Sequence, residues 1–159
     1  MHNNYVYIKI PSLSVNESFA RATIAAFCSS LNPTLNEISD IKTAVSEAVT
    51  NVVVHAYEDE IGEIEIKCRI EGQVVEIIIE DFGCGITDIE MAREPLFTTK
   101  PELERSGMGF SVMESFMDEL EVLSEKNVGT KVILRKKIVE KKQKLLNDEI
   151  NDENIEEDE

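Results

Sequence analysis

Three short stretches of this 159-residue chain carry side chains that can do chemistry at their spacing. Glu47, Asn51 and His55 stand at i, i+4 and i+8, which on a helix sets a carboxylate, a neutral amide and an imidazole along one side. Asp81-Phe82-Gly83-Cys84-Gly85 pairs an aspartate with two glycines one residue apart. The glycines allow a sharp turn and close backbone approach to a flat ligand, and the carboxylate can accept from an exocyclic amine such as that of adenine. Arg105-Ser106-Gly107-Met108-Gly109-Phe110 opens a helical stretch. Free amides at a helix N-terminus, aided by a planar guanidinium, suit phosphate oxygens. Each also has a plainer reading: a solvated helix face, an ordinary strand-to-helix turn, and a hinge with an N-cap. Asp81-Phe82-Gly83 also matches the magnesium-binding triplet of eukaryotic-type protein kinases. That reading is rejected, because the chain lacks a His-Arg-Asp loop and is too short for their fold.

These residues need elements to position them. Tyr5–Ile10 reads as a strand stopped by Pro11, and Asn16–Leu31 has apolar residues at helical spacing up to the break at Asn32-Pro33. Thr34-Leu35-Asn36-Glu37 is a capping-box pattern. It starts a helix whose stripe of Ile38, Ile41, Val45, Ala48, Val49 and Val52 lies opposite Glu47 and Asn51, with its end near His55. Residues 63–70 and 73–81 read as strands joined at Glu71-Gly72; the second, with Val74-Val75 and Ile77-Ile78-Ile79, is apolar enough to be central. A short helix is expected around Asp88–Arg93, then a loop through Ser106, a helix over 107–117, and a hairpin of 119–125 and 130–138 turning at Asn127-Val128-Gly129. The order βααββ, loop, αββ predicts an α+β domain: a two-layer sandwich with helices on one face of a mixed, mainly antiparallel sheet.

Composition narrows the classes. The length suits one domain, and 42% apolar against 6% aromatic residues suits an aliphatic core. A net charge of −16 argues against binding nucleic acid or an anionic membrane by bulk charge. About half of that excess lies between Asn147 and Glu159, where eight residues are acidic and none basic. Cys28, Cys68 and Cys84 have neither paired nor metal-ligand spacing and read as buried thiols of a reducing compartment. The N-terminus has no signal-peptide pattern, and no apolar run approaches the roughly 20 residues of a membrane helix. A cytoplasmic protein is expected, with a domain over 1–140 and an acidic tail over 141–159, disordered or a frayed helix.

Glu-x-x-x-Asn on a helix, Asp-x-Gly-x-Gly after a strand, a variable loop, Gly-x-Gly at a helix start and Gly129-Thr130 follow one another in the order of the Bergerat ATP-binding fold. The chain resembles that superfamily, with its histidine kinases, type II topoisomerases, Hsp90-like chaperones and MutL-like repair proteins, over residues 5–138. Longer motifs narrow the resemblance: Ser18–Arg21, Thr43–Asn51, Pro95–Pro101 and Glu104–Glu114 are similar to those of the anti-sigma F factors of endospore-forming bacteria. The resemblance implies a dimeric, ATP-dependent serine kinase that sequesters sporulation sigma factor F from RNA polymerase. It also implies phosphate transfer to a serine of an anti-anti-sigma factor. Implied in turn are Glu47 as general base and Arg105 at the γ-phosphate, and Asn51 as an oxygen donor to Mg²⁺. Asp81, Gly83, Gly85 and Thr130 fall at the adenine, and Ser106, Gly107, Met108 and Gly109 at the phosphates. Residues 94–106 would form a lid, in which Thr98, Thr99 and Lys100 touch nucleotide or partner. Arg21 matches an arginine of the partner surface. Open alternatives are a kinase of the general stress branch, a nucleotide-dependent sigma-binding module without transferase activity, and a stand-alone ATPase or chaperone fragment. His55 reads more simply as a histidine at a helix C-terminus.

Overall fold

In the computed structural model, residues 3–58, 60–94 and 109–139 are described. Strand β1 (Asn3–Pro11) leads into helix α1 (Val15–Cys28), a 3₁₀ turn over Ser29–Leu31 and helix α2 (Leu35–Asn51). Asn32 takes a left-handed conformation at φ 52°, which stops the turn and redirects the chain. The capping box forms as expected: Thr34 Oγ1 accepts the Glu37 amide at 3.2 Å, and Glu37 Oε2 accepts the Thr34 amide at 2.7 Å. A cap of this kind contributes about 1 kcal/mol to the helix. Glu37 also accepts the Val139 amide at 3.1 Å, tying the far end of the fold to this helix start.

Past Asn51 the helix does not simply end. Residues Val52–Ala56 continue it as one π-helical turn, which shifts His55 and Ala56 from the positions a regular helix would give them. Strands β2 (Glu63–Glu71) and β3 (Val74–Asp81) form a hairpin whose turn residues are Gly72, at φ 61°, and Gln73. The turn thus sits one residue later than expected. Helix α3 (Ile89–Arg93) is capped by Asp88, whose side chain accepts the Met91 amide. Helix α4 (Gly109–Phe116) and the hairpin of β4 (Glu119–Glu125) and β5 (Gly129–Lys137) complete the domain.

The strand order is β1-β2-β3-β5-β4, so β3 is central, as its apolar run predicts. All four described pairings are antiparallel, so the mixed character expected of the sheet is absent among the described strands. The reason lies in the last hairpin: β5 returns beside β3 with β4 outside it, and no parallel crossover is needed. One face packs on α1, α2 and α4 through fully buried residues such as Ile24, Ile41, Val45, Ile66, Ile77 and Met113. The opposite face is laced with ion pairs, among them Lys9–Glu63, Lys131–Glu80 and Arg135–Glu76 at 2.6, 3.0 and 2.6 Å.

Candidate functional site

The buried face of the sheet turns polar at one end. There Asp81 of β3 lies opposite Thr130 of β5, which in turn lies opposite Ser124 of β4. Asp81 is only 5% exposed. Its Oδ1 accepts the Gly83 amide at 3.0 Å and the Thr130 amide at 3.3 Å, and no described bond uses Oδ2. Burial pushes its pKa above the ordinary 3.8, while the two amides pull it back in part. Ser124, which the sequence did not single out, holds this corner together. Its hydroxyl donates to the Gly129 carbonyl at 2.9 Å, accepts the Ile86 amide at 2.7 Å and lies 2.8 Å from the Thr130 hydroxyl.

The glycines of Asp81-x-Gly83-x-Gly85 are required by close approach. A Cβ on Gly83 would stand 1.9 Å from the Ala56 carbonyl oxygen. On Gly85, which has φ 69°, it would stand 2.1 Å from the Glu125 carbonyl oxygen. The loop is therefore wedged between the π-helical turn and the β4–β5 hairpin. Three hydrogen bonds fix it: Cys84 N–H to the Ala56 carbonyl and Asn127 N–H to the Cys84 carbonyl, both 2.7 Å, and Phe82 N–H to the Tyr57 hydroxyl at 2.9 Å. Tyr57 in turn donates to the Glu63 carbonyl at 2.5 Å, so one ring links the end of α2 to the start of β2 and to this loop.

Glu47 and Asn51 do share one side of α2, and they face the first residue of α4. A Cβ on Gly109 would fall 3.0 Å from Asn51 Oδ1 and 3.4 Å from Glu47 Oε2. The carboxylate and the amide thus come close to a helix start that carries no side chain. Beside this contact lies a cavity of about 350 Å³ whose lining includes Asn51, Gly109, Asp81 and Thr130. That volume is in the range of small-ligand sites. His55 also lines it, so the plainer reading of a histidine merely ending a helix leaves out its place in the wall. Cys84 lines it too and is exposed, which corrects the expectation of three buried thiols. Met91 and Arg93 of α3, neither of them singled out from the sequence, and Phe110 of α4 supply further wall.

Arg105, Ser106, Gly107, Met108, Thr99 and Lys100 lie outside the described residues, as does most of the expected lid. Arg21 is on α1, away from the cavity wall, donating to Glu17 at 2.9 Å and to the Ser18 hydroxyl at 3.2 Å. Glu17 also accepts from the hydroxyl of Ser46, the neighbour of Glu47. No group of three or more His, Cys, Asp or Glu suited to a metal occurs among the described residues. Asn51, whose Oδ1 faces the start of α4, nevertheless fits Mg²⁺, which takes hard oxygen donors and usually keeps one or two from the protein, drawing the rest from phosphates and water. Among the described residues no helix is long and apolar enough to cross a membrane.

The sandwich, with a polar-ended cavity between sheet and helices, defines a nucleotide-binding domain, and the family model of the histidine kinase-like ATPase domain matches residues 11–136. ATP binding is the property of that class. Proteins named anti-sigma F factor match most of the chain. That of Clostridium kluyveri is 57% identical over 136 residues, 86% of this chain and 96% of that protein. That of Anoxybacillus flavithermus is 54% identical over 140 residues, covering 87% and 96%, and that of Clostridium acetobutylicum 55% over 137, covering 86% and 96%. The chain belongs to the anti-sigma F factor family, within the histidine kinase-like ATPases.

Proposed function

We propose that this protein is an anti-sigma factor that holds sporulation sigma factor F away from RNA polymerase, and a serine kinase that phosphorylates an anti-anti-sigma factor. The observation that carries the kinase half is the approach of Glu47 and Asn51 to Gly109, beside a cavity that Asn51, Gly109 and Asp81 all line. The sigma factor partner comes from the names of the relatives, all called anti-sigma F factor, and the anti-anti-sigma substrate from the resemblance of the sequence motifs. The reading includes a homodimer in the cytoplasm.

In this reading Asp81 accepts the adenine amino group, Gly83 and Gly85 shape the floor beneath the base, and Thr130 closes the pocket. The N-terminus of α4, with Gly107 and Gly109, cradles the phosphates, Ser106 and Met108 contribute to the same segment, and Arg105 meets the charge that grows on the γ-phosphoryl group. Thr99 and Lys100 belong to the lid. Mg²⁺, when bound, neutralises phosphate charge, and Asn51 is the residue that holds it. Glu47 accepts the proton of the partner's serine hydroxyl as its oxygen attacks phosphorus, and ADP leaves in line. Arg21 faces the partner proteins. The tail over 141–159, beyond the part of the chain that the family model matches, is assigned no part in the nucleotide site.

The test is phosphate transfer from γ-labelled ATP to the anti-anti-sigma factor, with Glu47→Gln beside the natural chain. Label on a serine of the partner, reduced at least about a hundredfold in the variant, is the expected result. ATP binding without label in the natural chain would leave a nucleotide-dependent sigma-binding module and withdraw the catalytic roles. Capture of a stress sigma factor in preference to sigma F would move the protein to the general stress branch.

A further inference from the structure

Arg93 is a cation in an unusual place. The protein has 32 acidic and 16 basic residues, and many described cations sit in ion pairs on the open sheet face. The cavity wall holds three carboxylates, Asp81, Asp88 and Glu94, and among its described lining residues Arg93 is the one fixed positive charge. An anionic ligand entering such a wall meets repulsion unless a cation is aimed at it.

Arg93 is also held. It is the last residue of α3, and its guanidinium pairs with Glu114 of α4. Glu114 lies one turn along from Phe110, which lines the cavity, and α4 begins at Gly109 beside Asn51 and Glu47. The pair thus ties Arg93 to the helix that begins at Gly109. It engages one nitrogen of a group that carries five N–H donors. A guanidinium can bridge a carboxylate on one edge and a phosphate on the other, with little freedom lost because it is already fixed.

We propose that Arg93 is a nucleotide-contacting residue that binds phosphate oxygens, with Glu114 as its positioning partner. This rests on the nucleotide reading of the cavity. It extends the phosphate site from the start of α4 to the facing helix α3.

The experiment is equilibrium binding of ATP and ADP, with Mg²⁺, to the full chain, to Arg93→Ala and to Glu114→Gln, with thermal unfolding alongside. Both variants break the same ion pair, but only the first removes the guanidinium. Arg93→Ala is expected to weaken ATP binding about tenfold or more, the range of hydrogen bonds to charged groups. Glu114→Gln is expected to weaken it by at least threefold less than Arg93→Ala does, and Arg93→Lys to restore part of the loss. Equal losses in the two pair-breaking variants would make the pair purely architectural and overturn the proposal, as would an unchanged affinity in Arg93→Ala. Absence of ATP binding by the natural chain would instead overturn the nucleotide reading on which the proposal stands.

Discussion

At the scale of single residues, Asp81 has two duties that pull apart. In the proposed reading its burial serves ligand recognition, since a hydrogen bond accepted in a dry pocket is stronger than one in water. The same burial disfavours the charge and raises the pKa above 3.8. The sign of the consequence follows from proton counting. Between the ordinary carboxylate pKa and the raised one, the folded state holds the proton while the unfolded state has lost it. Stability is therefore complete below the ordinary value and declines as pH rises through the folded value. Asp81→Asn removes this cost and keeps an oxygen to accept the amides of Gly83 and Thr130. Its melting temperature at pH 7 is expected to equal or exceed that of the natural chain. Its ATP affinity is expected to fall at least about tenfold, because an amide N–H₂ cannot accept from the adenine amine. A variant that melts lower and still binds ATP would reverse both assignments.

At the scale of elements, the loop after β3 is a wedge, and Gly83 is where the wedge is tightest. A methyl group there meets backbone atoms of Ala56, 1.9 Å away at the nearest, and no flexible side chain. Gly83→Ala must displace either the loop or the π-helical turn, at a cost of roughly 1–3 kcal/mol. Urea unfolding is expected to show that loss together with weakened ATP binding, whereas unchanged stability would mean that the two elements are not locked. Much of this arrangement is legible in the sequence. The capping box at Thr34, the apolar stripe of α2 and the run of β-branched residues in β3 each follow from local rules. So does the pairing of Glu47 with Asn51, since helical spacing alone puts them on one side. The π-helical turn is not legible, because Val52–Ala56 has no residue that forces an extra amide into the ring. Ser124 and Arg93 are hidden for another reason. Their roles depend on partners 5 to 38 and 21 residues away, and only the packed fold states those distances. The antiparallel pairing of β3 with β5 is likewise a property of chain return and not of either strand's composition.

At the scale of the whole molecule, the three cysteines report on how the domain is built. Cys28 of α1 and Cys68 of β2 are fully buried where the helical layer meets the sheet. The hydrogen bond with the neighbouring Cys28 thiol, and after it burial, push the Cys68 thiol far above its usual range, so it has no thiolate to offer a reagent. Cys84 stands instead in the loop after β3, exposed, with its sulfur 3.2 Å from the His55 carbonyl, and it lines the cavity. Exposure and burial thus sort the thiols by layer, one at the cavity and two in the core. Titration of the native chain with a small disulfide reagent is expected to modify one thiol quickly and the other two only at the rate of unfolding. ATP with Mg²⁺ is expected to slow the fast reaction several-fold, because a ligand filling the cavity covers Cys84, and Cys84→Ser is expected to abolish it. Two fast thiols would mean that the helical layer opens from the sheet in the native state. A fast thiol that ATP does not protect would place the nucleotide away from this loop, and with it the adenine assignment of Asp81 would fall.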